Sequence, residues 1–161
     1  MTLVLIYFIT NNFDTGNELL NYHLRALYHG NLSHLIANCV SFYGLSFMEE
    51  AIGWKKYIGA IIFIWIMSTM ILYGYHKMVP SRKRHTVGFS GIIFGLTVIY
   101  FSLLATNPTL SIAGLFISIL PQLFVPGISF EGHISGIISG LIFITIFSPK
   151  KLLKNTNLLK K

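Results

Sequence analysis

Six apolar stretches separated by polar turns govern what this chain can become. They cover about residues 2–13, 32–48, 57–75, 89–105, 110–125 and 133–147. Hydrophobic residues make up 53% of the 161 positions and charged residues 11%, against about 25% charged in a soluble domain. A soluble protein of this length could not hide so much apolar surface, so lipid is the expected solvent. The expected fold class is an all-α membrane protein. Several stretches are shorter than the roughly 20 residues of a standard span. Helices that begin below the bilayer surface, inside a protein-lined cavity, can be that short.

The connections carry turn chemistry. Asn11, Asn12, Asp14, Gly16 and Asn17 open the first. Glu49 to Lys56 reads as a tight charged link, Pro80 to His85 precedes the fourth stretch, and Asn107-Pro108 and Pro126-Gly127 bracket the fifth. The first stretch, MTLVLIYFIT, lacks the basic leader and small-residue cleavage site of a signal peptide, and reads as a retained first helix, short or clipped. The expected division is a membrane domain over 1–148 and a basic tail over 149–161.

The formal net charge of +7 does not point to nucleic acid, because the basic residues flank apolar runs as membrane loops do. With six spans and both termini inside, Lys55, Lys56 and the tail residues Lys150, Lys151, Lys154, Lys160 and Lys161 lie on the cytoplasmic side. Arg25, Lys77, Arg82, Lys83 and Arg84 then lie outside. That is seven against five, a weak agreement with the positive-inside rule. The tail fits a cytoplasmic terminus near anionic lipid of a plasma (inner) membrane. The single cysteine, Cys39, allows no internal disulfide and reads as a packed thiol.

Polar groups at membrane depth are costly, so they are functional candidates by default. His34 and Asn38 stand four apart, on one face of the second stretch. Ser90 starts the fourth within Gly88-Phe89-Ser90-Gly91, and His133 opens the sixth within Gly132-His133-Ile134-Ser135-Gly136. A serine becomes nucleophilic when a base lies in hydrogen-bond reach, and amide hydrolysis needs donors for the developing oxyanion. Ser90 and His133 can supply the first pair. The Ser90 amide, the Asn38 side chain and the His34 imidazole can supply the second set. A helix starting at Ser90 would also aim its positive dipole end at the oxyanion.

Gly91 and Gly95, and Gly132, Gly136 and Gly140, repeat every four residues, a spacing that lets membrane helices approach closely. Each feature has a plainer reading. Ser90 could be a helix N-cap, His34 could bond a neighbouring helix, and the glycines could serve packing alone. His29 reads as an organiser of the first loop. His23, His76 and His85 read as solvated loop residues, and Trp54 and Trp65 as interface or packing residues. No acidic third member is in view: Glu131 stands two residues from His133 and would point elsewhere on a helix.

At this point the chain resembles the rhomboid family of intramembrane serine proteases. His29 to Asn38 is similar to the family's H-x4-H-x3-N stretch, Gly88-Phe89-Ser90-Gly91 to its G-x-S-G motif, and Gly132 to Gly140 to its final-helix G-H-x2-G-x3-G. The three occur in the family's order. The resemblance implies a six-transmembrane-helix bundle and a Ser90–His133 dyad without an acidic third member. It implies oxyanion stabilisation by His34, Asn38 and Ser90, with His29, Gly88, Gly91, Phe94, Gly132 and Gly136 in support. It also implies a water-filled cavity facing away from the tail. Phe94 stands where some relatives carry a tyrosine packed on the catalytic histidine. The first loop, about residues 14–27, is shorter than the family's, and Arg25 lies closer to His29.

The implied activity is a serine endopeptidase acting on single-pass transmembrane proteins in the lipid bilayer, near the membrane surface. No metal or cofactor is expected. A zinc protease needs H-E-x-x-H, which is absent, and an aspartyl protease needs two aspartates where this chain has Asp14 alone. The alternatives are a catalytically silent relative that binds membrane helices, and a small transporter or channel.

Overall fold

The computed structural model describes residues 14–80, 87–124, 129–148 and 152. The first apolar stretch, the Arg82–His85 basic cluster, Pro126-Gly127 and the tail lysines lie outside the described residues. Among the described residues the chain is all-α. In order come α1 (Glu18–Arg25), α2 (Leu32–Gly44), α3 (Met48–Ile52), α4 (Trp54–Met78), α5 (Ser90–Leu104), α6 (Pro108–Ile119), a 3-10 turn (Leu120–Leu123) and α7 (Phe130–Phe147). Each of the five apolar stretches that can be compared is helical. Among the described residues two helices, α4 and α7, are long and apolar enough to cross a membrane. At about 1.5 Å per residue, 25 residues carry α4 through roughly 37 Å.

Polar caps fix where the helices begin. The Asn31 side chain accepts the His34 amide at 2.8 Å, Asn107 accepts that of Leu110 at 3.1 Å, and Ser129 accepts that of Gly132 at 3.0 Å. Each satisfies a first-turn amide that has no partner inside its own helix. Pro108 follows Asn107 at the first helical position of α6, where its missing N–H costs nothing.

The charged link expected between the second and third stretches is mostly helical. Glu49 and Glu50 occupy the first turn of α3, where acidic side chains suit the helix dipole. Gly53, at φ 87°, then makes the corner into α4, a backbone conformation open to glycine. The first loop likewise holds α1, capped by Asn17. His76 is not a solvated loop residue: it lies in the last turn of α4, buried, with its Nδ1 2.9 Å from the Tyr22 hydroxyl. Trp65 packs and also ties α4 to α1, donating Nε1–H to the His23 carbonyl at 2.9 Å.

The core lies between α4, α5 and α7. Ile64, Ile92, Leu96, Ile99 and Phe143 are buried in it, and Met48 and Ile52 of α3 close one end. α5 and α7 share the largest interface. A methyl group on Gly136 would overlap the Gly91 carbonyl, one on Gly91 would press on the Gly132 carbonyl, and one on Gly140 would strike the Gly95 carbonyl. The four-residue glycine period is therefore a seam of backbone against backbone.

Candidate active site

Ser90 is the first residue of α5, and Phe89 before it takes the cap position with no side-chain capping bond. The Ser90 hydroxyl thus does not cap its helix. Its Oγ lies 2.8 Å from His133 Nε2 on α7. The Ser129 cap starts α7 early enough that His133 stands in its fourth position, one turn in, rather than at its opening. With Gly91 and Gly136 in backbone contact, a hydroxyl on one helix and an imidazole on the other can meet. The Phe94 ring lies against the imidazole, with centroids 4.4 Å apart and planes tilted by 33°. His133 is buried and Ser90 half-buried.

The residues before Ser90 are held in an unusual shape. Gly88 has φ 113°, which side chains other than glycine's rarely adopt. A Cβ there would also collide with the His34 ring at 2.6–2.8 Å and stand 3.3 Å from Asn38 Nδ2. The Gly88 amide donates to the Arg25 carbonyl at 2.9 Å, which pins the loop to the end of α1. His34 and Asn38, one turn apart on α2, therefore both face the G-x-S-G loop. Asn38 is buried and its Nδ2 has no partner among the described residues. It is a donor awaiting an acceptor, a costly arrangement unless something uses it.

His29 is fully buried behind His34, with ring centroids 5.2 Å apart, and its Nδ1 is 3.2 Å from the Leu27 carbonyl. Burial, with the neighbouring His34, holds its pKa below the ordinary imidazole value, and the Leu27 carbonyl opposes this. The structure thus gathers Ser90, His133, His34, Asn38, His29, Phe94 and Gly88 into one place, with Gly91, Gly132 and Gly136 forming the seam beneath. A cavity of about 280 Å³ lined by Asn38, Ser90, Phe94 and Thr97 opens on one side of Ser90. A smaller one of about 50 Å³, lined by Arg25, Ser90, Ser129 and Ser135 among others, lies on another. It is large enough for a water molecule or two.

One contact escapes a reading of the sequence. His133 Nδ1 lies 2.5 Å from Oε1 of Gln122, on the 3-10 turn after α6. A polar side chain in an otherwise apolar stretch is the available signal. A search for a third member confined to acids passes over it. Glu131 does not join the group; it lines a separate apolar cavity with Tyr75 and Ile134. Ser135 and Ser139 donate to carbonyls of their own helix and are structural. No group of three or more potential metal ligands occurs among the described residues.

Chemically, the arrangement offers a hydroxyl bonded to an imidazole, a free buried amide donor beside it, and first-turn backbone amides of α5. Comparison with known proteins adds the ancestry. A family model described as the rhomboid domain matches residues 16–150. A protein of Acanthamoeba polyphaga mimivirus, named as a rhomboid protein, is 53% identical over 152 residues, covering 94% of this chain and 89% of its own length. A rhomboid-like mitochondrial protein of Arabidopsis thaliana is 27% identical across 80% of this chain and 43% of its own. An uncharacterized protein of Mycobacterium leprae is 24% identical across 83% and 57%. No solved structure matches the chain. The domain points to an integral membrane protein, in keeping with the apolar helices α4 and α7. With a family match over most of its length and a relative this similar from end to end, the chain belongs to the rhomboid family.

Proposed function

We propose that this protein is an intramembrane serine endopeptidase that cuts single-pass transmembrane substrates near the membrane surface. The observation that carries the reading is the 2.8 Å contact between Ser90 Oγ and His133 Nε2. In the proposed cycle His133 Nε2 takes the hydroxyl proton as Ser90 Oγ bonds to the carbonyl carbon of the scissile peptide. Negative charge collects on the former carbonyl oxygen. Asn38 Nδ2, the His34 imidazole and the Ser90 amide donate to it. The intermediate collapses as His133 passes its proton to the departing amine. Water then attacks the acyl carbon as it gives a proton to His133, which returns that proton to Ser90 Oγ as the bond to the acyl group breaks. A substrate helix must unwind to present its bond, so Gly or Pro near the cut favours cleavage.

The bundle belonging to this reading has six spans. Among the described residues, α2, α4, α5, α6 and α7 supply five of them. The basic tail faces the cytoplasm and the site opens on the opposite side. The test is cleavage of a reporter transmembrane substrate in liposomes by wild type and by Ser90→Ala, with fluorophosphonate labelling alongside. Cleavage and labelling by wild type alone support the proposal. Helix binding by wild type without cleavage or labelling would replace it with a silent, substrate-binding role. Solute flux indifferent to Ser90 would replace it with transport.

A further inference from the structure

The bond from His133 to Gln122 has no place in a two-residue mechanism. We propose that Gln122 is a positioning residue that fixes the His133 ring and its tautomer, so that Nε2 stays free to accept the Ser90 proton; this rests on the protease reading for its function, and on geometry alone for its contact.

The atom roles constrain one another. A neutral imidazole carries one proton, and a base that takes the Ser90 proton through Nε2 must hold its own on Nδ1. A buried Nδ1–H needs an acceptor. Among the described residues the contact on Nδ1 is the Gln122 side-chain oxygen. Phe94 restrains the face of the ring but offers no acceptor there. Without Gln122 the ring could rotate or hold its proton on Nε2, where it would donate towards Ser90 instead of accepting from it.

The local sequence explains how Gln122 reaches the ring. Pro121 has no amide hydrogen with which to extend the ladder of α6, and the chain tightens into the 3-10 turn Leu120–Leu123. The Phe124 amide closes the turn on the Pro121 carbonyl at 3.1 Å. The turn packs against α7. An amide also suits this setting better than an acid. It accepts the same hydrogen bond without bringing a net charge beside the buried His133 ring, where a carboxylate must be desolvated.

The experiment uses the full chain in micelles and liposomes, with Gln122→Met, Gln122→Ala and Gln122→Glu. Methionine keeps the volume and removes the acceptor; glutamate keeps the acceptor. Reporter cleavage by the Met and Ala variants should fall about 100-fold in kcat, with KM within about twofold of wild type. Glutamate should restore part of the loss. In parallel, ¹⁵N spectra of histidine-labelled protein, with the His133 signals assigned by their absence from His133→Gln, should show the Nδ1–H form in wild type and Gln122→Glu. That form should be lost or mixed in Gln122→Met and Gln122→Ala. Unchanged ¹⁵N signals in the folded Met or Ala variant overturn the inference, whatever the cleavage rate. A wild type that neither cleaves nor labels, but whose His133 tautomer changes in Gln122→Met, sinks the protease reading and leaves the positioning role standing.

Discussion

Helices α5 and α7 meet glycine to glycine, with carbonyls where side chains would otherwise stand, whereas α2 reaches the same site with much of its own surface uncovered. On α2, Val40 is 66% and Tyr43 79% exposed, and Leu32 and Ile36 share that outward apolar side. Leu35 and Asn38 are its buried residues. The two regions hold different parts of one site. Ser90 and His133 come from the seam; the candidate oxyanion donors His34 and Asn38 come from the sparsely packed helix. The difference teaches that the spacing of the candidate pair Ser90–His133 is tied to the backbone contact of α5 and α7, while the candidate donors sit on a helix with few packed partners among the described residues.

The comparison can be broken most forcefully at the seam. Gly136→Val should force α5 and α7 apart, cost about 3 kcal/mol or more of stability, and eliminate cleavage. Thermal unfolding in micelles together with the liposome assay would register both, and a Gly136→Val protein that stayed stable and active would refute the seam. Next comes α2. Asn38→Ala and His34→Ala should each lower kcat by about 100- to 1,000-fold, the usual range for an oxyanion donor, while the unfolding midpoint barely moves. A large drop in midpoint would place these residues among the structural ones.

A smaller effect concerns acid. Because the folded state holds the His29 pKa below its unfolded value, the unfolded chain binds more protons as pH falls from about 6.5. Stability from this residue is complete above that pH and declines below it. His29→Gln should flatten the acid side of a stability-against-pH curve; an unaltered slope would remove His29 as the cause. Smallest of all, Val40→Ala on the open side of α2 should change stability by less than about 0.5 kcal/mol and leave kcat alone. A larger change would show that this side is packed against something.

Much of the site is legible in the residues because its chemistry is carried by rare polar groups in apolar stretches. Ser90, His133, His34 and Asn38 stand out for that reason, and the glycine period foretells the close contact of α5 and α7. Gln122 does not, because it lies 11 residues before His133 on an irregular turn, and no helical or strand period links the two. Helix extents are less legible. α4 begins at Trp54 and runs to Met78, past the expected 57–75, because Gly53 rather than the charged pair Lys55-Lys56 ends the preceding turn. His76 reads as a loop residue between Tyr75 and Lys77, but its partner Tyr22 is 54 positions away in sequence. Pairings of that kind are set by the folded arrangement and have no local signature.

The pinning of Gly88 to the Arg25 carbonyl carries a consequence for how the protein could have diversified. The corner before Ser90 is tied to α1 through a main-chain oxygen, so the tie does not depend on which side chain position 25 carries. No particular side chain has to survive at that anchor point. Exchange of residue 25 among helix-compatible side chains should therefore leave the Gly88 corner where it is.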